Sequence, residues 1–253
     1  MKKPLDEIKG KGIDWIPEPF KESAKNIAKH AVKQFISSHM VIGLGSGPMA
    51  EAIIIEIGNL NEDIKSTLQC IPSSFQIKRA ALDGGLLIVD ENSIPSIDIV
   101  FDGADQLDSQ FNMIKGGGGA LLREKVIHSA SKTIIITAES FKYLNSFERS
   151  VPIEIHPFAL SIVREKLKSS YKGNPQLRML SEGYPYVTEN GNFIFDTFFA
   201  SFENIREKEK DLRNIAGVLE VGLFTKHANV YYKSKENGEF EIITNNYKSE
   251  LDK

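Results

Sequence analysis

Between Lys115 and Glu124 run four consecutive glycines, Gly116 to Gly119. Such a run gives up conformational entropy and offers no side chain to pack, so something must approach that backbone closely. A loop this pliable can fold back until Lys115, a nest of backbone N–H groups and Glu124 surround a carbonyl carbon and its neighbour. That is equipment for removing a proton next to a carbonyl: the carboxylate takes the carbon-bound proton and the donors hold the enediolate oxygen. No redox group is needed. Burial would raise the pKa of Glu124 while a helix N-terminus and Lys115 would lower it, and sequence leaves that contest open.

Two other segments carry polar chemistry. In Asp102-Gly103-Ala104-Asp105 the spacing of the carboxylates can set both on one side of a pocket, where they exchange protons with sugar hydroxyls; the same composition also makes an ordinary turn. Gly43-Leu44-Gly45-Ser46-Gly47 precedes a helix and so offers free N–H groups to an anion such as phosphate, or forms only a tight turn. A dinucleotide fingerprint is not met, because its third glycine falls at Pro48 and no acidic residue ends the next strand at Cys70-Ile71-Pro72.

The elements that must position these segments are read from hydrophobic period. Apolar residues from Phe20 to Ile36 recur at helical spacing. Met40 to Leu44 reads as a buried strand, and Pro48 suits the first position of a helix continuing through Ile57. A strand Ser66 to Ile71, a helix capped by Ser73 or Ser74 through Leu82, and strands Leu86 to Val89 and Ile97 to Phe101 come next. A helix from about Ala120 to Ala130 then leads into a strand Thr133 to Thr137. This alternation predicts an α/β fold with a mainly parallel, Rossmann-like sheet covered on both faces, whose ligands bind beyond the carboxyl ends of the strands. All three segments fall at such ends.

Past Val151-Pro152 the order becomes βαββαβ: strand Ile153 to Ile155, helix Phe158 to Ser170, a strand near Leu177 to Met179 or Tyr186 to Thr188, a turn at Asn190-Gly191, strand Phe193 to Phe195, a charged helix between Phe202 and Asn214, and strand Leu219 to Phe224. That predicts a second, smaller ferredoxin-like α+β domain over 151–225. The α/β domain takes 1–150 and regains 226–253 as a hairpin, Asn229 to Tyr232 with Glu239 to Ile243, turning at Asn237-Gly238. The charged helix reads as a solvated face without a functional role. Trp15 and Pro17 read as packing or a loose extension.

Among 253 residues, 41% are hydrophobic and 26% charged, with a net charge of -3. That describes a globular protein without the basic field of a nucleic-acid binder. Cys70 is the only cysteine, which excludes an internal disulfide and a multi-cysteine zinc site, and its apolar surroundings suit a small core residue. Met1 to Lys11 lacks the apolar core of a secretory signal and no stretch is long enough to span a membrane, so the expected place is the cytoplasm. His30, His39, His128, His156 and His227 lie outside the three segments and read as surface or satisfied helix residues. Arg123 and Lys125 read as surface charges.

Together with Pro72-Ser73-Ser74-Phe75-Gln76, Pro152-Ile153-Glu154-Ile155 and Thr188-Glu189-Asn190-Gly191-Asn192, the three segments resemble the A-type ribose 5-phosphate isomerases from about Lys21 to about Val230. The most specific stretches are Ile97 to Asp105 and Lys115 to Lys125. The resemblance implies interconversion of ribose 5-phosphate and ribulose 5-phosphate through a cis-enediolate, without metal or cofactor, by a homodimer or homotetramer. Carried over, Glu124 is the base, Lys115 with the N–H groups of Gly116, Gly117 and Gly118 stabilises the oxyanion, and Asp102 and Asp105 serve ring opening and hydroxyl protons, with Gly103 and Ala104 lining the substrate. Lys142 resembles a phosphate-contacting lysine. Where the family's first glycine loop ends in Ser-Thr, this chain has Pro48-Met49. Altered phosphate contacts are therefore expected, from Ser46, the N–H groups of Gly47 and Met49, and Lys142. A sugar-phosphate sensor of the same fold has no need to keep Glu124 beside Lys115 and both aspartates. An amino-sugar phosphate deaminase would place a histidine beside its carboxylates, and a coenzyme A transferase calls for other groups.

Overall fold

The computed structural model describes residues 13–90, 92 and 96–244. The readings of Met1 to Lys11 and of the chain beyond 244 lie outside them. Six strands form the main sheet: β1 (Val41–Leu44), β2 (Gln69–Pro72), β3 (Ile97–Gly103), β6 (Ser131–Glu139), β12 (Val230–Ser234) and β13 (Phe240–Thr244). Their order is β13-β12-β6-β3-β1-β2, parallel except for the β12–β13 hairpin.

Side chains alternate across this sheet as the pleat requires. Ile42, Leu44, Phe101 and Ile135 join a core with α1 (Glu18–Phe35), α2 (Pro48–Gly58) and α4 (Phe75–Asp83). Val100, Ile134, Ile136 and Tyr231 face Ile127 of α5 (Leu121–Ala130) on the other side. A short α3 (Glu62–Lys65) links α2 to β2. Ile16 is buried and Trp15 exposed, so it is Ile16 whose burial anchors the segment before α1.

The second predicted unit is present as β7 (Val151–Ile155), α6 (Leu160–Ser169), β8 (Asn174–Leu177), β9 (Phe193–Phe198), α7 (Ile205–Arg213) and β10 (Val218–Val221). Its antiparallel order β10-β7-β9-β8 is what a βαββαβ chain gives when each helix carries a crossover past one strand.

Four expectations need correction. Leu86 to Val89 is not a strand: Ile88 makes one isolated bridge with Cys70. Of the two places offered for the second strand of the small sheet, the one near Leu177 is right in position and late in its start, because pairing with β9 begins at Asn174 and ends at Leu177. The strand expected over Leu219 to Phe224 breaks at Gly222, whose N–H donates to the Pro152 carbonyl and whose own carbonyl accepts from the Lys115 N–H. Beyond the break, β11 (Leu223–Phe224) joins β4 (Gln106–Leu107) and β5 (Met113–Ile114) in a small three-stranded sheet. Finally, α7 is not merely solvated, since Glu209 bonds Lys125 and Thr225.

Candidate active site

In the main sheet the chain moves outward from β1 to β2 and then crosses back to β3 on the other side of β1, so the β1–β3 gap is the topological switch point. The glycine turn after β1 and the aspartate turn after β3 meet across it. Gly45 donates its N–H to the Phe101 carbonyl, and a Cβ on it would lie 2.1 Å from the Asp102 carboxyl carbon. Only glycine lets the two turns close to this distance.

That approach buries Asp102 completely and surrounds it with donors. Its Oδ1 accepts from the N–H groups of Ser46 at 3.0 Å and Gly103 at 2.7 Å. Its Oδ2 lies 2.9 Å from the Lys115 ammonium and 2.7 Å from Nε2 of His128. Burial alone would raise this carboxyl; the Lys115 charge and the His128 hydrogen bond outweigh it and hold the pKa down at about 2. Asp102 is thus a permanent anion.

Lys115 is aimed by the three-stranded sheet. Its backbone N–H is fixed to Gly222 at 2.9 Å, directly after β5. The ammonium then meets the Gly103 carbonyl at 2.6 Å, Asp102, and Oε1 of Glu124 at 3.2 Å, which occupies its three donors. Burial would discharge it, yet Asp102 and Glu124 outweigh burial and raise its pKa.

Glu124 stands in the first turns of α5, its N–H bonded to Ala120. Oε1 takes the Ser46 hydroxyl at 2.5 Å besides Lys115, whereas Oε2 is buried with no partner. Burial is the largest influence on this carboxyl and Asp102 reinforces it; Lys115 and Ser46 oppose, and the outcome is a pKa raised to about 7. The contest left open by sequence is decided by desolvation. A carboxyl poised there is a base at neutral pH with one free oxygen.

Of the remaining predicted residues, Asp105 is partly exposed and accepts the Gly117 N–H at 2.7 Å. Ala104 is buried beneath the turn. Gly116 is buried, while Gly117 and Gly118 are exposed. Gly47 caps α2 and Pro48 opens it. The Met49 side chain points into the core, so only its N–H is left for a ligand. Lys142 lies just past β6 at the same end of the sheet, with its ammonium 2.6 Å from Glu139; its described ion pair is there and not with the glycine turn.

The surface reading of Lys125 is overturned. It is largely buried and holds Glu209, Glu220 and the carbonyls of Val221 and Leu223, which tethers α5 to the small sheet and to α7. Arg123 pairs with Glu189 and Asn190. Of the two readings offered for His128, the satisfied helix residue is the right one, and its bond to Asp102 adds it to the site. It is buried one helical turn beyond Glu124, and that i, i+4 spacing, which sets both residues on one face of α5, is the signal that points to it. Burial lowers its pKa, so it is the neutral ring that donates from Nε2 to Asp102.

Similarity to known proteins extends over most of the chain. The sequence pattern of ribose 5-phosphate isomerase A (phosphoriboisomerase A) matches residues 69–238. A ribose-5-phosphate isomerase of Dictyostelium discoideum is 36% identical over 229 residues, 87% of this chain and 97% of that protein. Ribose-5-phosphate isomerase A of Listeria monocytogenes is 36% identical over 222 residues, again 87% of this chain and 97% of the relative. A solved D-ribose-5-phosphate isomerase in complex with phospho-erythronic acid superposes with a TM-score of 0.82 at 31% identity, over 89% of this chain and 99% of that one.

Proposed function

Since this chain belongs to the ribose 5-phosphate isomerase A family, we propose that Glu124 is the base with which it moves a proton between C1 and C2 of ribose 5-phosphate. The protein is an aldose-ketose isomerase that interconverts this sugar with ribulose 5-phosphate, a step of the pentose phosphate pathway. The observation that carries the assignment of roles is the state of Glu124. It is buried and raised to about 7, with Oε1 held by Ser46 and Lys115 and Oε2 unclaimed.

Oε2 takes the C2 proton of the open-chain aldose as the C1 carbonyl oxygen becomes the enediolate oxygen. The same proton is then given to C1, and the proton of the C2 hydroxyl passes to the C1 oxygen, which leaves the C2 carbonyl and C1 hydroxymethyl group of the ketose. As Glu124 becomes neutral its hold on Lys115 weakens, and the ammonium gains a donor for the enediolate oxygen when that charge is present. The Gly118 N–H, exposed and without an internal acceptor among the described residues, is the second donor.

The two aspartates divide the work. Asp102 is saturated with donors and fixed as an anion, so it anchors Lys115 and does not exchange protons. Asp105, partly exposed at the edge of the glycine loop, takes the C1 hydroxyl proton in ring opening and returns it to the ring oxygen as the C1–O bond breaks. Ser46, Gly47, Met49 and Lys142 receive the phosphate. The α/β domain comprises 1–150 with 226–253, the small α+β domain 151–225, and the assembly is a homodimer or homotetramer in the cytoplasm. The single cysteine, buried and raised to about 12 by that burial, is consistent with this reducing compartment. Among the described residues no helix is long and apolar enough to cross a membrane.

The test is turnover of ribose 5-phosphate by the purified chain in buffer with chelator, against Glu124→Gln. The variant is expected to lose about 10²- to 10⁴-fold in kcat, the usual contribution of a positioned base. Deuterium at C2 should be exchanged or relocated to C1 by the native protein. Retention of more than a tenth of the turnover removes Glu124 from the role.

A further inference from the structure

The four-glycine loop is gripped from outside the main sheet. Arg178, which directly succeeds β8 in the small sheet, donates from Nη1 to the carbonyls of Gly116 at 3.0 Å and Gly117 at 3.1 Å. Its guanidinium is in turn held by both carboxyl oxygens of Asp196 on β9, at 2.8 and 2.5 Å. Tyr186 donates its hydroxyl to the Gly118 carbonyl at 3.1 Å. A Cβ on Gly119, whose φ is +87°, would lie 2.2 Å from that hydroxyl. The two gripping residues form one unit: the Tyr186 N–H bonds the Arg178 carbonyl at 2.9 Å, and the guanidinium lies 5.7 Å from the Tyr186 ring centroid.

In a trans peptide the C=O and N–H point in opposite directions. Holding the Gly116 carbonyl therefore aims the Gly117 N–H the other way, where it reaches Asp105. By the same rule, holding the Gly117 carbonyl fixes the direction of the Gly118 N–H, the exposed donor without an internal acceptor among the described residues. A bare glycine run would sample many orientations of these peptides. Here each of three consecutive carbonyls has a side-chain donor from the small sheet or the segment just after its strand β8.

We propose that Arg178 and Tyr186 are positioning residues of the isomerisation, which hold the carbonyls of Gly116 to Gly118 and with them the fold of the loop, in which the Gly119 N–H bonds back to the Gly116 carbonyl at 3.0 Å and the Gly118 N–H is preset for the enediolate oxygen. The small lobe thereby has a function in catalysis that its distance from Glu124 in sequence conceals. The inference rests on the isomerase reading above, because the oxygen to be stabilised belongs to that reaction.

Tyr186→Phe removes only the hydroxyl, and Arg178→Lys keeps the charge but loses the fork that spans two carbonyls. Both are compared with the native chain in kcat and KM for ribose 5-phosphate, and in binding of phospho-erythronic acid, whose carboxylate stands in for the negative end of the enediolate. Inorganic phosphate serves as a competitor that does not reach the loop. A lost oxyanion donor costs about 10²- to 10³-fold, so a loosened one is expected to lower kcat about 5- to 10-fold in Tyr186→Phe and about 20- to 50-fold in Arg178→Lys. KM and phosphate inhibition should stay within about twofold, while phospho-erythronic acid weakens by a factor similar to the loss in kcat. Unchanged kcat and unchanged phospho-erythronic acid binding overturn the proposal. So does weakening shared equally by inorganic phosphate, which is the pattern of a generally loosened fold. If Arg178→Lys does not fold, Tyr186→Phe decides alone. An inactive native chain would instead overturn the isomerase reading itself.

Discussion

The Ser46 hydroxyl donates to Oε1 of Glu124 across 2.5 Å, joining the turn after β1 to the helix that carries the proposed base. The bond has two effects. It stabilises the ionised carboxylate against the burial that raises its pKa, and it turns the unpartnered Oε2 into the oxygen left for chemistry. A residue expected from sequence to bind phosphate is therefore also part of the base.

The acidic limb of kcat/KM should reflect this carboxyl. Glu124 must be ionised to accept a proton, so activity is expected to rise with pH through about 7 and to level off above it. Asp102→Asn removes a negative neighbour that raises Glu124, which moves the limb to lower pH. Ser46→Ala removes a hydrogen bond that lowers it, which moves the limb to higher pH. Profiles of the native chain and both variants read the two directions, and a limb near the ordinary carboxylate range in all three contradicts them.

His128 offers a separate reading of stability. Its ring is buried neutral with a depressed pKa, so its contribution is present above the unfolded value near 6.5 and is lost as pH falls through the folded one. Glu124, raised in the fold, has the opposite slope between its ordinary 4.5 and about 7, and Asp102 acts only below about 4. The difference between the native chain and His128→Gln isolates the histidine. The glutamine amide can still donate to Asp102, so this variant should keep most turnover and lose less Tm than the native chain between pH 6.5 and 5. His128→Leu leaves Asp102 one donor short and should cost about 1.5 to 3 kcal/mol at neutral pH, measured by denaturant unfolding.

Legibility tracked the length of each signal. The run Val41 to Leu44 and the stretch Ile97 to Phe101, apolar but for Asp98, announce strands, and Asp102 ends the second at the point where the candidate site begins. The strands β4, β5 and β11 have two residues each, too few for any period, yet they aim Lys115. Lys125 looks like a surface charge until strand pairing brings Glu220 to it, and Arg178 carries no signal in the sequence until the fold brings the Gly117 carbonyl to it. Leu86 to Val89 failed in the other direction. Its composition suits a strand, but only Ile88 finds a partner, in a single bridge with Cys70.

The phosphate end of the site gives the last prediction. Pro48 opens α2 well, since its ring presets the backbone angle of a first helical residue, but it removes one N–H from the helix end proposed to receive the phosphate. Pro48→Ser restores that N–H and adds a hydroxyl, and a hydrogen bond to a charged group is worth about 1.5 to 3 kcal/mol. Phosphate is carried unchanged through the reaction, so the gain is shared by substrate and transition state. KM is expected to fall about tenfold or more while kcat stays within about twofold. Met49→Thr behaves differently. The Met49 side chain is packed in the core beside Ile53, so the smaller polar residue leaves a void and should lower Tm without lowering KM further. Steady-state kinetics and melting curves of the two single variants separate these effects. An unchanged KM in Pro48→Ser means that Ser46, the N–H groups of Gly47 and Met49, and Lys142 already satisfy the phosphate.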